Sequence, residues 1–228
     1  MNAPTSIRLR KDLSHVKLRY TALAAALLLG ACQRVGDVTT ENGGGVYAVR
    51  SVCPLAGVPA GTGDITLFNP AGSTDAAAID VSAAITGVRA TCQEGASEVV
   101  STVTFSITGQ RRHAGEARQV LLPYFDVAVR GGTNVVAKQV GQALLNFAPG
   151  QFRAGTRVQA VIRVNRAAAT LPANVRATLT KPRKAGQADA AIDPLSDPAV
   201  QRAVANATFE HLVGFELTDD QLRYNATR

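Results

Sequence analysis

From residue 46 onward, apolar side chains recur at every second position. That period restricts the chain to strands with one buried and one open face. In 99–107, Val99, Val103, Phe105 and Ile107 share one parity, and Thr102, Thr104, Ser106 and Thr108 take the other. Residues 157–165 repeat the pattern, with Val158, Ala160, Ile162 and Val164 inward and Arg157, Gln159, Arg163 and Asn165 mostly outward. In 121–130, Phe125, Val127 and Val129 face one side and Tyr124, Asp126 and Arg130 the other. Shorter strands are expected at 46–53, 64–69, 84–92 and 175–179, and a longer one at 135–147 changes phase near Gly141, as a bulge requires.

Turn chemistry separates these runs at Asn69-Pro70-Ala71-Gly72, Gln93-Glu94-Gly95, Gly131-Gly132-Thr133-Asn134 and Ala148-Pro149-Gly150. Asn134 follows Gly131 so closely that the strands on either side form a hairpin. Short strands at this spacing predict a mainly β fold, an Ig-like antiparallel β-sandwich of about seven or eight strands. A short C-terminal helical segment follows. Asp197 is an N-cap with Pro198 at the first helical position. Val200, Ala203, Val204, Ala207 and Leu212 keep helical spacing up to a stop at Gly214. Thr218 and Gln221 make a capping box for a second, shorter helix. Phe209, Leu212 and Phe215 would then cover an open end of the sandwich, or dock on a partner.

The N-terminus carries a different signal. Arg8, Arg10, Lys11, Lys17 and Arg19 precede an apolar run from Tyr20 that ends in Leu29-Gly30-Ala31-Cys32. The run of about a dozen residues spans ~18 Å as a helix, short against the ~30 Å core of a bilayer. A basic lead, a short apolar run and a small-residue end make a secretory signal peptide. Its last four residues resemble the lipobox of bacterial lipoproteins. The resemblance covers only the first 32 residues. It implies that Cys32 receives a diacylglyceryl group and further acylation, with cleavage before it. With Gln33 rather than Asp next, it also implies passage to the outer membrane. Several acyl chains on one residue hold far more firmly than one. The organisation expected is a leader over 1–31, lipidated Cys32 with a glycine-rich tether over 32–45, the sandwich over 46–181, and a linker with C-terminal helices over 182–228. The protein would be lipid-anchored in the cell envelope, facing the periplasm.

If Cys32 is lipidated, Cys53 and Cys92 remain as a pair, and in an oxidising compartment a disulfide follows. No Cys-x-x-Cys or histidine cluster points to a metal, and no cofactor is implied. The formal charge of +7 includes five basic residues and one acid of the leader, so the remainder carries only +3. That excess is too small and too scattered to argue for nucleic acid.

No nucleophile elbow, zinc-protease helix, P-loop or dinucleotide glycine pattern is present. Beyond the leader the histidines are His113 and His211. Arg111, Arg112 and His113 mark an exposed hairpin tip or a phosphate-binding basic knot. His211 is expected near the end of the C-terminal helix, favoured there by the helix dipole. Lys181, Arg183 and Lys184 form a second basic cluster, a solvated linker or a contact for anionic polymers and lipid phosphates. The chain reads as a non-enzymatic scaffold or protein-interaction module with an envelope protein partner. The alternatives are a ligand-binding or hydrolytic enzyme with a dispersed site, which requires a deep polar pocket, and a subunit of a larger envelope assembly, which requires an exposed apolar patch.

Overall fold

The computed structural model describes residues 51–181, 186 and 192–227. The leader, the lipobox with Cys32, the tether, Arg183 and Lys184 lie outside the described residues. The described residues form one compact unit.

Eight strands occur among the described residues: β1 (Leu55–Gly57), β2 (Asp64–Phe68), β3 (Ile79–Glu94), β4 (Glu98–Arg111), β5 (Arg118–Arg130), β6 (Asn134–Phe147), β7 (Arg153–Asn165) and β8 (Phe209–Phe215). They make two four-stranded sheets, ordered β1-β8-β5-β6 and β2-β3-β4-β7. All pairings are antiparallel except β1 with β8. The expected β5–β6 hairpin is present, turning through Gly131 and Gly132, whose φ angles of 64° and 80° suit glycine. The chain then crosses to the other sheet, where β7 pairs with β4, and crosses back, where β8 pairs with β5.

The core follows strand parity. Val103, Phe105 and Ile107 from β4 meet Val120 and Leu122 from β5, Leu145 and Phe147 from β6, and Val213 and Phe215 from β8. A second cluster of Val99, Ala128, Ile162, Val164, Ala169 and Phe209 lies beside Cys53 and Cys92, which are joined as expected.

Several expectations are corrected. Residues 209–215 are a strand, so the sandwich extends beyond residue 181 and Gly214 is no helix stop. The helix α3 (Pro198–Asn206), capped by Asp197 as anticipated, ends before it. Phe209, His211, Val213 and Phe215 all point inward with a strand's period of two, and β8 lies between β1 and β5. Residues 175–179 lie in a helix, α2 (Ala173–Thr180), which starts after Pro172 and buries only Val175. The short α1 (Arg166–Ala169) precedes it, with Asn165 accepting from the N–H groups of Ala167 and Ala168. The Thr218/Gln221 box opens α4 (Asp219–Thr227). Residues 51–53 are not in a strand. The β6 bulge lies at Val136, opposite Ala128 and Val129, and not at Gly141. Gly141 instead leaves room for the Tyr124 ring, whose Cζ would stand 2.5 Å from an added Cβ. On β5 the polar parity faces the core: Tyr124 stacks edge-on against Phe105, and Asp126 is buried.

Candidate functional site

The basic tip divides where β4 ends. Arg111 has the inward parity of Phe105 and Ile107 and is only 4% exposed. Its guanidinium donates to the carbonyls of Gln151 (2.7 Å), Glu116 (2.8 Å), Gly115 (3.0 Å) and Ala148 (3.2 Å), and it lies 5.4 Å from the centre of the Phe147 ring. Four carbonyls from two loops consume the donors an anion would need. Arg111 is thus a clamp between the β4–β5 and β6–β7 connections, and its expected anion contact is withdrawn. Arg112 and His113 remain exposed, with Arg112 donating to the Ala76 carbonyl at 2.7 Å. Nearby, Arg118 grips Asp80 through two bonds of 2.6 and 2.7 Å. That pair holds the Asp80 carboxyl below its usual range, and the charge of His113 adds to the effect. Lys181 is exposed just past α2.

His211 is not on a helix. It lies on β8, fully buried, with Nδ1 3.0 Å from the hydroxyl of Ser101 on β4 of the facing sheet. Its Nε2 has no hydrogen-bond partner among the described residues, and neither does Oδ1 of Asp126. Ala128 pairs with His211 and Asp126 with Val213, so the acid and the imidazole are diagonal neighbours on the inner face of one sheet. Burial lowers the His211 pKa to about 4. Burial raises that of Asp126, opposed by the backbone N–H of Val161 on β7.

The residue types are those of a nucleophile, a base and an acid. The setting is a core: Ser101 is 1% exposed and Asp126 6%. A substrate has no route to a hydroxyl sealed between two sheets, so the group acts structurally. Its signal in the sequence is parity, since Ser101 shares the parity of Val99 and Val103, and His211 that of Phe209 and Val213.

Open depressions lie elsewhere. One of about 510 Å³ sits on the outer side of the β2-β3-β4-β7 sheet, between Asp64, Ser82, Thr108, Gln110 and Arg153. Another, of about 750 Å³, separates α4 from β2 and the loop 71–74. Among the described residues no His, Cys, Asp or Glu group is arranged to hold a metal, and no helix is long and apolar enough to cross a membrane.

The outer side of the β1-β8-β5-β6 sheet is apolar. Leu121 is 57% exposed and Val140 58%, and Leu55, Val135 and Val136 are exposed with them. Phe125 pairs with Val140 and Gly214 across its neighbours, and Val127 with Lys138 and Leu212. Lys138 reaches over the Phe125 ring to Glu216, 2.8 Å away.

No family model, no curated protein and no solved structure matches this chain.

Proposed function

We propose that the chain is a membrane-anchored envelope lipoprotein whose sandwich is a non-enzymatic protein-interaction module. The observation that carries this reading is the sorting of its three cysteines. Cys53 and Cys92 are joined, which leaves Cys32, at the end of Leu29-Gly30-Ala31-Cys32, as the remaining thiol for acylation. The anchor would hold the body at the outer membrane, facing the periplasm, where an oxidising environment keeps the bridge closed.

The winding of β4 to β8, with β7 returning to β4 and β8 to β5, supports an Ig-like architecture. The bridge does not link those strands. It joins β3 to the segment before β1. The interaction role draws on the apolar outer row of β5 and β6, above all Leu121 and Val140, beside the outer half of edge strand β6.

Detergent-phase partitioning tests the anchor: the native chain should enter the detergent phase and Cys32→Ser should stay in the aqueous phase. Partitioning of Cys32→Ser with detergent overturns the assignment. Crosslinking in intact cells tests the module. A protein adduct that Val140→Asp abolishes supports it, and recovery of lipid alone refutes it.

A further inference from the structure

The outer side of the β2-β3-β4-β7 sheet has a different chemistry from its apolar counterpart. Strand register places Thr102, Thr104, Ser106 and Thr108 in one outward row along β4. On β7, Arg163 stands opposite Val100, Gln159 opposite Thr104, Arg157 opposite Ser106 and Arg153 opposite Gln110. On β3, Arg89 stands opposite Thr104, and Thr86 and Thr91 flank it on the same face. The bulge at Gly87, where φ is 62°, sets Arg89 in this phase.

Four exposed arginines therefore surround a row of hydroxyls and amides. None has an acidic partner among the described residues, and Arg89 donates only to the neighbouring Val88 carbonyl. The acids on this face stand at its ends, Glu98 beside Asn165 and Asp64 on β2. At about 3.3 Å per residue, Arg153 to Arg163 spans roughly 33 Å along the edge strand. The depression holding Asp64 and Arg153 lies at one end of this track.

We propose that this face binds an extended anionic polysaccharide, its acid groups on the arginines and its hydroxyls on the Thr, Ser and Gln row. Guanidinium forks match carboxylate and sulfate geometry, and neutral hydroxyls and amides match sugar hydroxyls. Two other occupants fit the face less well. A single-stranded nucleic acid needs aromatic platforms, and the outward rows of β3, β4 and β7 hold none. A lipid surface needs apolar side chains to insert. No large exposed hydrophobic residue stands on β2, β3, β4 or β7. The inference goes beyond the anchored-module reading and does not depend on it.

The test uses the full chain in neutral detergent micelles, with fluorescently labelled oligogalacturonate as the probe and anisotropy as the readout. Binding should weaken as salt rises, and neutral dextran should not compete. The double substitution Arg157→Gln with Arg163→Gln should weaken binding roughly tenfold, about two exposed charge pairs' worth. Arg112→Gln, at the hairpin tip, should leave it unchanged. Unchanged urea midpoints in both variants confirm that the fold is intact. Absence of binding at low salt, equal competition by dextran, or indifference to the double substitution overturns the proposal. Tighter binding of a single-stranded DNA oligomer through the same arginines also overturns it.

Discussion

Ser101 and His211 join the two sheets through the core, hydroxyl to imidazole at 3.0 Å, with both side chains closed to solvent. A neutral imidazole fits such a place, and an imidazolium does not. Burial lowers the folded pKa to about 4, against an ordinary 6.5. Between those values the unfolded chain binds a proton that the folded chain refuses. Stability is therefore complete above the ordinary value, falls as pH drops through this window, and levels off below about 4. The shift corresponds to roughly 3 kcal/mol. Urea unfolding at a series of pH values should show this decline, and His211→Gln should remove most of the slope. A difference between the native and His211→Gln curves that stays constant from pH 4.5 to 6.5 would exclude the buried neutral histidine.

Asp126 should behave in the opposite sense. Its folded pKa is raised, chiefly by burial, so the folded carboxyl holds its proton more tightly than the unfolded one. The folded state thus loses stability as pH rises from the ordinary carboxylate range through the folded value. Oδ1 of this buried carboxyl has no hydrogen-bond partner among the described residues. Asp126→Asn removes the charge and keeps the size. It should stabilise the protein by about 1 kcal/mol at pH 7, with the gain vanishing at pH 3. Thermal midpoints of the two proteins at both pH values provide the measurement. Destabilisation at pH 7 would mean that the carboxylate is satisfied.

Parity decided how much of this was readable. β4 and β7 alternate strictly, so their inner and outer rows are legible in the sequence, including Arg157 and Arg163 on the open side. β8 was hidden because Val200, Ala203, Val204 and Ala207 are helically spaced and Leu212 continues that spacing by coincidence across the junction. The period changes from helical to two at Phe209, and a central strand of seven residues is too short to announce itself against a well-capped helix. Adjacency alone groups Arg111 with Arg112 and His113 in the sequence. Adjacent strand residues face opposite ways, and Arg111 carries the inward parity of Ile107. The Ser101–His211 contact joins residues 110 positions apart, and no local pattern reports such a pairing.

The Arg111 clamp makes a prediction that separates structure from binding. Arg111→Lys keeps the charge but cannot reach four carbonyls in two loops. Loss of these charge-assisted bonds from a buried guanidinium costs about 2–4 kcal/mol. The urea midpoint should fall accordingly. Arg112→Lys, which loses one exposed bond to the Ala76 carbonyl, should change it by less than about 0.5 kcal/mol. Equal effects of the two substitutions would show that Arg111 is not a clamp.

The bridge between Cys53 and Cys92, 39 positions apart, ties the segment before β1 to β3. β1 has three residues and a single pairing, to β8, so it has little else to hold it. Opening a loop of this length gives the unfolded chain back about 4 kcal/mol of conformational freedom. Cys53→Ala with Cys92→Ala should lower stability by that amount, and reduction of the native chain should do the same. The loss should be uneven. Hydrogen exchange at 55–57 should accelerate far more than in β4 or β5, because those strands keep neighbours on both sides. A uniform rise across all strands would mean that the bridge supports the whole sandwich and not its first strand.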